Sequence, residues 1–479
     1  MNNSLIENAS FKDVMMCPVH GAIDVYDHEL KAINHALFQR LRDVMQNDIL
    51  HYIFMGATHN RFAHSIGTMH IAGRVFASII KNKKNKRSKE VTGKLHLTRP
   101  QEQAVIYLTQ VLRLSTLLHD TGHGAFSHLL EKTKCIESIL NAPETPSKLW
   151  KGIDTSSFYQ KLPTQLAHEH YSVRAAYQIL HDAEVKKSGI VLSDVLNAME
   201  TTDGKPSEKF VKSACDIWPV IAAETDLEPH EKAAKVLSVL ESILSNEFDA
   251  DKADYLLRDS QYAGVNYGKF DLDTITNNFS IDWLDDEQWL GLTINKKGVG
   301  ALENFVFSRY SMYLHVYNHK ATNGFELILS TAIEEIMEKP HVYETIYKSL
   351  TDINEFANFS DGFMWQEFKT LAREKQNSYS SKLIKRERIT FIGNFSILED
   401  SNIEGIINDI AEEYSLKKEK IRYRVLKTKF SKISKSYDKI RVVDKHPINN
   451  TETIRNITEV SSFFDKFSDQ KSVVVHYNV

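Results

Sequence analysis

Apolar side chains recur every three to four residues through roughly the first three hundred positions, which is the spacing of helices that bury one face. The stripe in residues 62–80 predicts an amphipathic helix, and the nearly all-apolar residues 103–118 predict a helix buried inside a domain. Residues 81–94 hold seven lysines or arginines and are predicted to form a solvated loop. No apolar run approaches the roughly 18 residues of a membrane helix, so no membrane association is expected.

The pattern changes in the last 130 or so residues. Short β-branched and aromatic runs between polar turns predict strands at residues 389–394, 421–428, 439–443 and 472–477. Residues 402–414 predict a helix among these strands. The chain is therefore predicted to be mainly α, with a large helical core and a smaller C-terminal α+β lobe.

Composition restricts the classes of function. The 479 residues include 59 basic and 63 acidic side chains, a net charge of −4 that makes nucleic acid an unlikely partner for the surface as a whole. Three cysteines are too few for a disulfide framework, and the first residues lack a secretory signal, so a cytoplasmic protein is expected. The 20 histidines are unusual, and several of them are clustered.

The segment LLHDTGHGAFSH, residues 117–128, is the strongest chemical signal. His119 and Asp120 would point about 100° apart on a continuous helix, but the glycines that follow predict that the helix ends there. At such an end two neighbouring side chains can converge on one ion. An adjacent His-Asp pair is by itself weak evidence for a metal site.

Two other segments strengthen the metal hypothesis. His64 faces away from the apolar stripe of its helix, and FDADKADYLLRDS places Asp251, Tyr255 and Asp259 on one helix face. Two histidines and two carboxylates offer mixed nitrogen and oxygen ligands, which suit iron, manganese, zinc or magnesium. The predicted ligands of a divalent metal ion are His64, His119, Asp120 and Asp251.

In these motifs the sequence resembles the HD-domain deoxynucleoside triphosphate triphosphohydrolases (dNTPases). The shared segments, ordered along residues 17–322, are CPVHGAIDVYDHEL, FQRLRDV, GATHNRFAHSIG, LLHDTGHGAFSH, AHEHYS, DADKADYLLRD, GVNYG and YLHVYNHKAT. The resemblance implies an HD-domain helical core and hydrolysis of a dNTP to deoxynucleoside and inorganic triphosphate. The chain is expected to have three parts, which are an N-terminal arm and regulatory segment at residues 1–45, the HD core at 46–345 and the C-terminal lobe at 346–479.

The resemblance also assigns roles to individual residues. His128 is the preferred general acid, with Glu131 orienting its imidazole and raising its pKa, and the supporting catalytic residues are His123, His168 and Glu169. Asp259 and Gln46 would contact the sugar, and two tyrosines would exclude a ribose 2′-hydroxyl. The full set of implied substrate-binding residues is Arg61, Gln46, Lys252, Tyr255, Asp259, Arg309 and Tyr317.

The resemblance implies a dNTP activator and a homo-oligomer, either a dimer or a tetramer. Gln39 and Arg42 match positions of a regulatory nucleotide site. Other positions depart from the vertebrate pattern, so activation by GTP is not expected; these are Asp13, Met16, Asn34 and Thr274.

Two alternatives remain open from the sequence. An HD phosphodiesterase or nucleotidase would keep the metal ligands but would not need Lys252 and Arg309. A binding protein that uses the basic residues 81–94 on nucleic acid would show strongly salt-dependent binding without turnover.

Overall fold

The computed structural model describes residues 11–90, 96–222, 225–398, 401–428, 440–445, 451–464 and 470–478. Helices form most of this part of the chain, and three small sheets flank them. None of the described helices combines the length and hydropathy that crossing a bilayer requires. The mainly α fold with a smaller α+β lobe is therefore confirmed.

The helices are numbered in chain order. They are α1 Asp27–Ile33, α2 Ala36–Gln39, α3 Arg61–Glu90, α4 Arg99–Leu118, α5 Ser127–Glu131, α6 Lys134–Leu140, α7 Glu144–Leu149, α8 His168–Asp182, α9 Leu192–Asn197, α10 Glu208–Ile221, α11 Pro229–Leu244, α12 Ala250–Ala263, α13 Leu272–Asn278, α14 Val299–Met312, α15 Lys320–Met337, α16 Pro340–Thr351, α17 Ile353–Phe356, α18 Asp361–Glu374, α19 Tyr379–Ile384, α20 Ile403–Glu413 and α21 Ile457–Val460.

The strands are numbered in the same way. They are β1 Phe11–Cys17, β2 Gly21–Tyr26, β3 Phe279–Leu284, β4 Trp289–Asn295, β5 Thr390–Ser396, β6 Ile421–Thr428, β7 Ile440–Lys445, β8 Glu452–Asn456 and β9 Gln470–Tyr477.

Helices α3, α4 and α12 lie at the centre of the helical core. Helix α3 buries the apolar stripe that its sequence predicts, including Phe62, Met69 and Ile80. Helix α4 begins at a Thr98–Gln101 capping box and ends at Leu118, directly before the His-Asp pair. The predicted end of this helix is confirmed, and the pair therefore sits where the chain leaves the helix.

Three separate sheets surround the core. Strands β1 and β2 form an antiparallel hairpin, and β5-β9-β6 is an antiparallel sheet whose apolar face packs on α20. The third sheet has the order β3-β4-β7-β8. Its strands β4 and β7 are parallel, with Leu292 opposite Ile440, so strands distant in sequence are joined in one sheet.

The basic run differs from its prediction. Residues 81–90 continue α3 instead of forming a loop, and residues 91–94 lie outside the described residues. Lysine is a good helix former, and the Lys83 ammonium lies 2.9 Å from the Asp282 carboxylate on β3. The run is therefore anchored to the core by a buried ion pair, which local composition does not reveal.

The predicted strands near the C-terminus correspond to β5, β6, β7 and β9, and the predicted helix to α20. Position 439, the first residue of the third predicted strand, lies outside the described residues. The three-part domain division stays a prediction.

Candidate active site

Three helices bring the predicted metal ligands together. His64 lies in the first turn of α3, His119 and Asp120 follow α4, and Asp251 lies in the first turn of α12. Ligand atoms of His64, His119 and Asp120 all lie within 4.8 Å of one another. The Asp251 Oδ1 atom is 3.0 Å from His64 Nε2 and 3.6 Å from His119 Nε2. All four side chains therefore face one small volume.

The two imidazoles are held by their Nδ1 atoms. His64 Nδ1 lies 2.8 Å from Asp254 Oδ2, and His119 Nδ1 lies 2.7 Å from the Thr116 carbonyl oxygen. Both Nε2 atoms are buried and, within the part of the chain that the structure describes, make no hydrogen bond of good geometry. Contacts of this kind commonly orient metal-binding histidines, so the residues present fit a divalent cation.

The electrostatics of this cluster favour a positive charge. Burial disfavours a charged His64, but the carboxylates of Asp251 and Asp254 outweigh it and raise the pKa of His64 to about 10. Burial likewise opposes the ionised Asp251, yet the close approach of the two histidines holds the pKa of this carboxyl far below its usual range. A cation between these groups would replace the proton that His64 otherwise retains.

Arg61 connects the cluster to the adjoining cavity. Its guanidinium forms an ion pair with Asp120, and its Nε donates to Ser127 Oγ at 2.8 Å. Burial opposes ionisation of Asp120, but Arg61 together with His119 and His123 outweighs it, so the pKa of this carboxyl lies well below its usual value. Arg61 thus occupies a buried position beside a predicted metal ligand.

A second cluster contains the predicted catalytic histidines. The rings of His123 and His168 stack with centroids 3.8 Å apart, and the His128 centroid lies 4.6 Å from His123 and 4.8 Å from His168. Gly122 permits this arrangement, because a Cβ there would lie 2.1 Å from the His168 carbonyl oxygen. The loop after α4 can therefore approach the start of α8 closely.

Glu131 lies close to His128, as expected, but its hydrogen bond goes to a different histidine. Glu131 instead accepts a hydrogen bond from His168 Nδ1 at 3.2 Å, and Glu169 lies 3.3 Å from the same atom. Burial opposes a charged His168, but these carboxylates raise its pKa, whereas burial, Arg61 and His168 place the pKa of His128 well below the usual range. Among the three histidines, His168 is therefore the one whose surroundings favour the protonated form.

One cavity of about 720 Å³ connects the two clusters with the predicted phosphate-binding cations. Lys252 and Arg309 both line it. Lys252 forms a buried ion pair with Asp249, and Arg309 Nη1 lies 4.0 Å from Glu247 Oε1. These carboxylates hold the two cations at the cavity wall.

The predicted sugar-binding residues line the same cavity. Asp259 accepts a hydrogen bond from Tyr317 at 2.5 Å, and His59 Nε2 lies 2.6 Å from its other oxygen. Tyr317 ends a π-helical turn, Tyr313–Tyr317, a form that recurs at functional sites. Tyr255 and Gln46 complete this part of the wall.

Several residues of the site escaped sequence reasoning. Asp254 and His59 hold predicted site residues, but nothing in their local spacing marks them. Arg424 on β6 lines the cavity from the C-terminal lobe, nearly four hundred residues after Gln46. A contact of that range leaves no periodic signal in the sequence.

The two predicted regulatory residues lie together outside the cavity wall. Arg42 Nε donates to Gln39 Oε1 at 2.8 Å, and the Arg42 guanidinium stacks on Phe62 at 3.6 Å. Their regulatory role stays a prediction.

Comparisons with known proteins find a matching family, several relatives and a similar solved structure. Residues 284–464 match the family described as HD associated region. An uncharacterized protein of Bacillus subtilis, YwfO, is 30% identical over 69% of this chain and 56% of its own length. The deoxynucleoside triphosphate triphosphohydrolase SAMHD1 of Homo sapiens is 26% identical over 66% of this chain and 43% of its own length.

The Dictyostelium discoideum homolog of SAMHD1 is 24% identical over 77% of this chain and 57% of its own length. The chain thus spans about half the length of the curated relatives that it matches. A phosphohydrolase structure from Bacteroides thetaiotaomicron superimposes with a TM-score of 0.64 at 19% identity, covering 98% of this chain and 100% of that chain. This superposition supports the fold.

Proposed function

Because this chain is an HD-domain protein of the dNTPase-like type, we propose that it is a metal-dependent phosphohydrolase that converts a dNTP and water to deoxynucleoside and inorganic triphosphate. One observation carries the proposal: the metal-ligand cluster shares a cavity with Arg61, Lys252 and Arg309. A triphosphate is a polyanion, and two carboxylates already offset a divalent ion. Three cationic side chains at the cavity wall supply donors for the phosphate oxygens of this substrate class.

In this proposal the metal is held by His64, His119, Asp120 and Asp251. When bound, a divalent ion supplies positive charge at the phosphoryl oxygens and lowers the pKa of a coordinated water. The ligand set suits magnesium, manganese, iron and zinc alike, so elemental analysis is the measurement that identifies the ion.

In this proposal the cations bind the phosphates and the histidine cluster supplies a proton. Arg61 and Arg309 bind phosphate oxygens through their planar guanidinium groups, and Lys252 adds a point charge. The leaving 5′-oxygen needs a proton. In this proposal His128 delivers that proton, as the resemblance implies, and His168 lies beside it with ring centroids 4.8 Å apart.

In this proposal the sugar binds in the part of the cavity that Asp259, Tyr255 and Tyr317 line. Asp259 accepts a hydrogen bond from the 3′-hydroxyl, and Gln46 contacts the same face of the sugar. Tyr255 and Tyr317 pack where a ribose 2′-hydroxyl would lie, so a ribonucleotide would clash or leave a polar group unpaired. Preference for deoxy substrates follows from this packing.

The test is incubation of the purified protein with each dNTP alone and in pairs, with Mg²⁺ or Mn²⁺, followed by detection of nucleoside and triphosphate. Lys252→Ala and Arg309→Ala should each lower kcat/KM for dNTPs about 10- to 100-fold, since each removes a charged contact to phosphate. Lys212→Ala is the control, because Lys212 is exposed and pairs only locally with Asp216. If both cation variants kept wild-type kcat/KM, the triphosphate substrate would be excluded and the HD phosphodiesterase alternative favoured.

We also infer that a dNTP activator and a homo-oligomer, dimer or tetramer, belong to this function. Gln39 and Arg42 support an activator site, since both match the family's regulatory positions. Light scattering with and without dNTPs measures the assembly, and a monomer under both conditions would contradict it.

A further inference from the structure

The turn of the N-terminal β-hairpin reaches the metal centre through one buried carboxylate. His20 lies in the turn between β1 and β2, and its side chain is only 3% exposed. Its Nε2 atom lies 2.6 Å from Asp254 Oδ1 on α12. The other oxygen of Asp254 lies 2.8 Å from His64 Nδ1. A single side chain thus joins the hairpin to a candidate metal ligand.

Asp254 has little freedom to adopt another position. It is fully buried, and the Arg258 guanidinium bonds both of its oxygens at 2.8 Å. The neighbouring helix is equally close, because a Cβ on Gly67 would lie 1.9 Å from Asp254 Oδ1. The carboxylate is therefore fixed by His20, Arg258 and the backbone of α3 together.

The hairpin is docked on α12 by further contacts. Arg258 Nη2 lies 3.5 Å from Cys17 Sγ, and Gln261 Nε2 donates to the Pro18 carbonyl oxygen at 3.2 Å. These contacts lie at the same end of the hairpin as His20. The docked hairpin and the orientation of His64 consequently depend on the same group of side chains.

We propose that His20 is a positioning residue of the metal site, and that docking of the N-terminal hairpin and metal binding are coupled through Asp254. This inference rests on the metal site of the proposed function. His20 and Arg258 place Asp254 so that His64 Nδ1 donates to it and His64 Nε2 faces the cation. Because coupling free energies are reciprocal, a bound metal also stabilises the docked hairpin.

The test measures metal affinity without nucleotide, by titrating the metal-free full-length protein with Co²⁺ and following its visible absorption. His20→Ala should weaken binding roughly tenfold, the lower part of the range typical of residues that orient metal ligands, and should change the absorption bands. His20→Gln should stay close to wild type, since its amide nitrogen can take the position of Nε2. His341→Ala is the control, because His341 makes a similar 3.3 Å pair with Glu367 on the surface.

Two further measurements separate the outcomes. Gln261→Ala removes a hairpin contact without touching Asp254, so an equal loss of Co²⁺ affinity in this variant would overturn the specific role of His20. In the wild type, metal should slow amide hydrogen exchange in residues 14–26, and unchanged exchange would overturn the coupling. Unaltered Co²⁺ binding by folded His20→Ala overturns this inference alone, whereas a wild type that binds no divalent metal overturns the proposed function as well.

Discussion

At the residue scale, Asp361 shows how a buried group outside the two clusters shapes the cavity. Its carboxylate accepts hydrogen bonds from the backbone N–H groups of Met45, at 3.0 Å, and Phe126, at 2.8 Å. Phe126 has a left-handed backbone with φ of 54°, which the hydrogen bond helps to hold. The two backbone segments carry Gln46 and His128, so Asp361 positions both sides of the site.

The pKa of Asp361 leads to a prediction for stability. Burial outweighs the two hydrogen bonds and raises the pKa of this carboxyl from 3.8 to about 6. The unfolded chain therefore releases the proton at lower pH than the folded protein does, and stability falls as pH rises from about 4 to about 6. Between pH 5 and 7 the wild type should lose roughly 1.4 kcal/mol more free energy of unfolding than Asp361→Asn, one pH unit of linkage.

Urea unfolding of both proteins at pH 5, 6 and 7 measures this difference. The comparison uses the change with pH and not the absolute stability, because an amide cannot accept both hydrogen bonds equally well. If the free energy of unfolding changed equally with pH in both proteins, Asp361 would not titrate between pH 5 and 7.

At the element scale, the basic end of α3 is anchored through charge. Lys83 and Asp282 are both buried, and Asp282 also accepts from Thr293 Oγ1 at 2.6 Å. Lys86 approaches the same carboxylate at 3.3 Å. The turn that carries Lys83 and Lys86 is therefore held against β3, and the helix extends to Glu90.

Removal of the Lys83 charge should destabilise this junction. Lys83→Met keeps the aliphatic length but leaves Asp282 buried with only part of its compensating charge, at an expected loss of about 2–3 kcal/mol. Lys81→Met, on the exposed side of the same turn, should change stability by less than about 0.5 kcal/mol. Urea denaturation compares the two, and equal stabilities would show that the ion pair does not anchor the helix.

These elements also show what the sequence can and cannot predict. Strands β6 and β9 were predictable because short runs of β-branched and aromatic residues lie between polar turns. Strand β4 is buried along most of its length, and a continuous apolar run of that kind cannot be distinguished from a buried helix by periodicity. The continuation of α3 depends on Asp282, some two hundred residues away, and local composition contains no trace of it.

Residues of the candidate site also differ in whether local sequence or long-range packing determines them. His119, Asp120 and His128 lie in one short segment whose residue types indicate chemistry directly. His59 contacts Asp259, and Arg424 reaches the cavity, only because distant elements pack together, so single positions carry no signal. The resemblance assigned Glu131 to His128, but the folded chain places His168 on α8 within hydrogen-bond distance of the carboxylate.

At the scale of the whole molecule, the C-terminal lobe helps to form the cavity. Residues 424–427 of β6 line it, and Arg424 forms an ion pair with Glu326 on α15. Asp48 lines the same cavity, where burial raises its pKa to about 7 against the lowering influence of Arg61 and Arg424. The lobe thus contributes positive charge to a wall that also carries carboxylates.

Loss of that charge should weaken substrate binding. Arg424→Ala leaves Glu326 and Asp48 less compensated, so an anionic substrate should show a KM about fivefold higher, equivalent to about 1 kcal/mol. Arg422→Ala is the matched control, since Arg422 lies two residues earlier on β6, stacks on Tyr379 and lies outside the cavity wall. Steady-state kinetics with each dNTP compares the two variants. Equal KM values would show that Arg424 of the lobe does not contribute to substrate binding.

The parallel pairing of β4 with β7 has a consequence for synthesis on the ribosome. About 145 residues separate the end of β4 from the start of β7. At roughly 5–20 residues per second, the nascent chain exposes one apolar strand edge for about 7–30 s before its partner has been translated. During this interval the emerging polypeptide is open to incorrect strand pairing, and a chaperone that shields β4 would improve the yield of native protein.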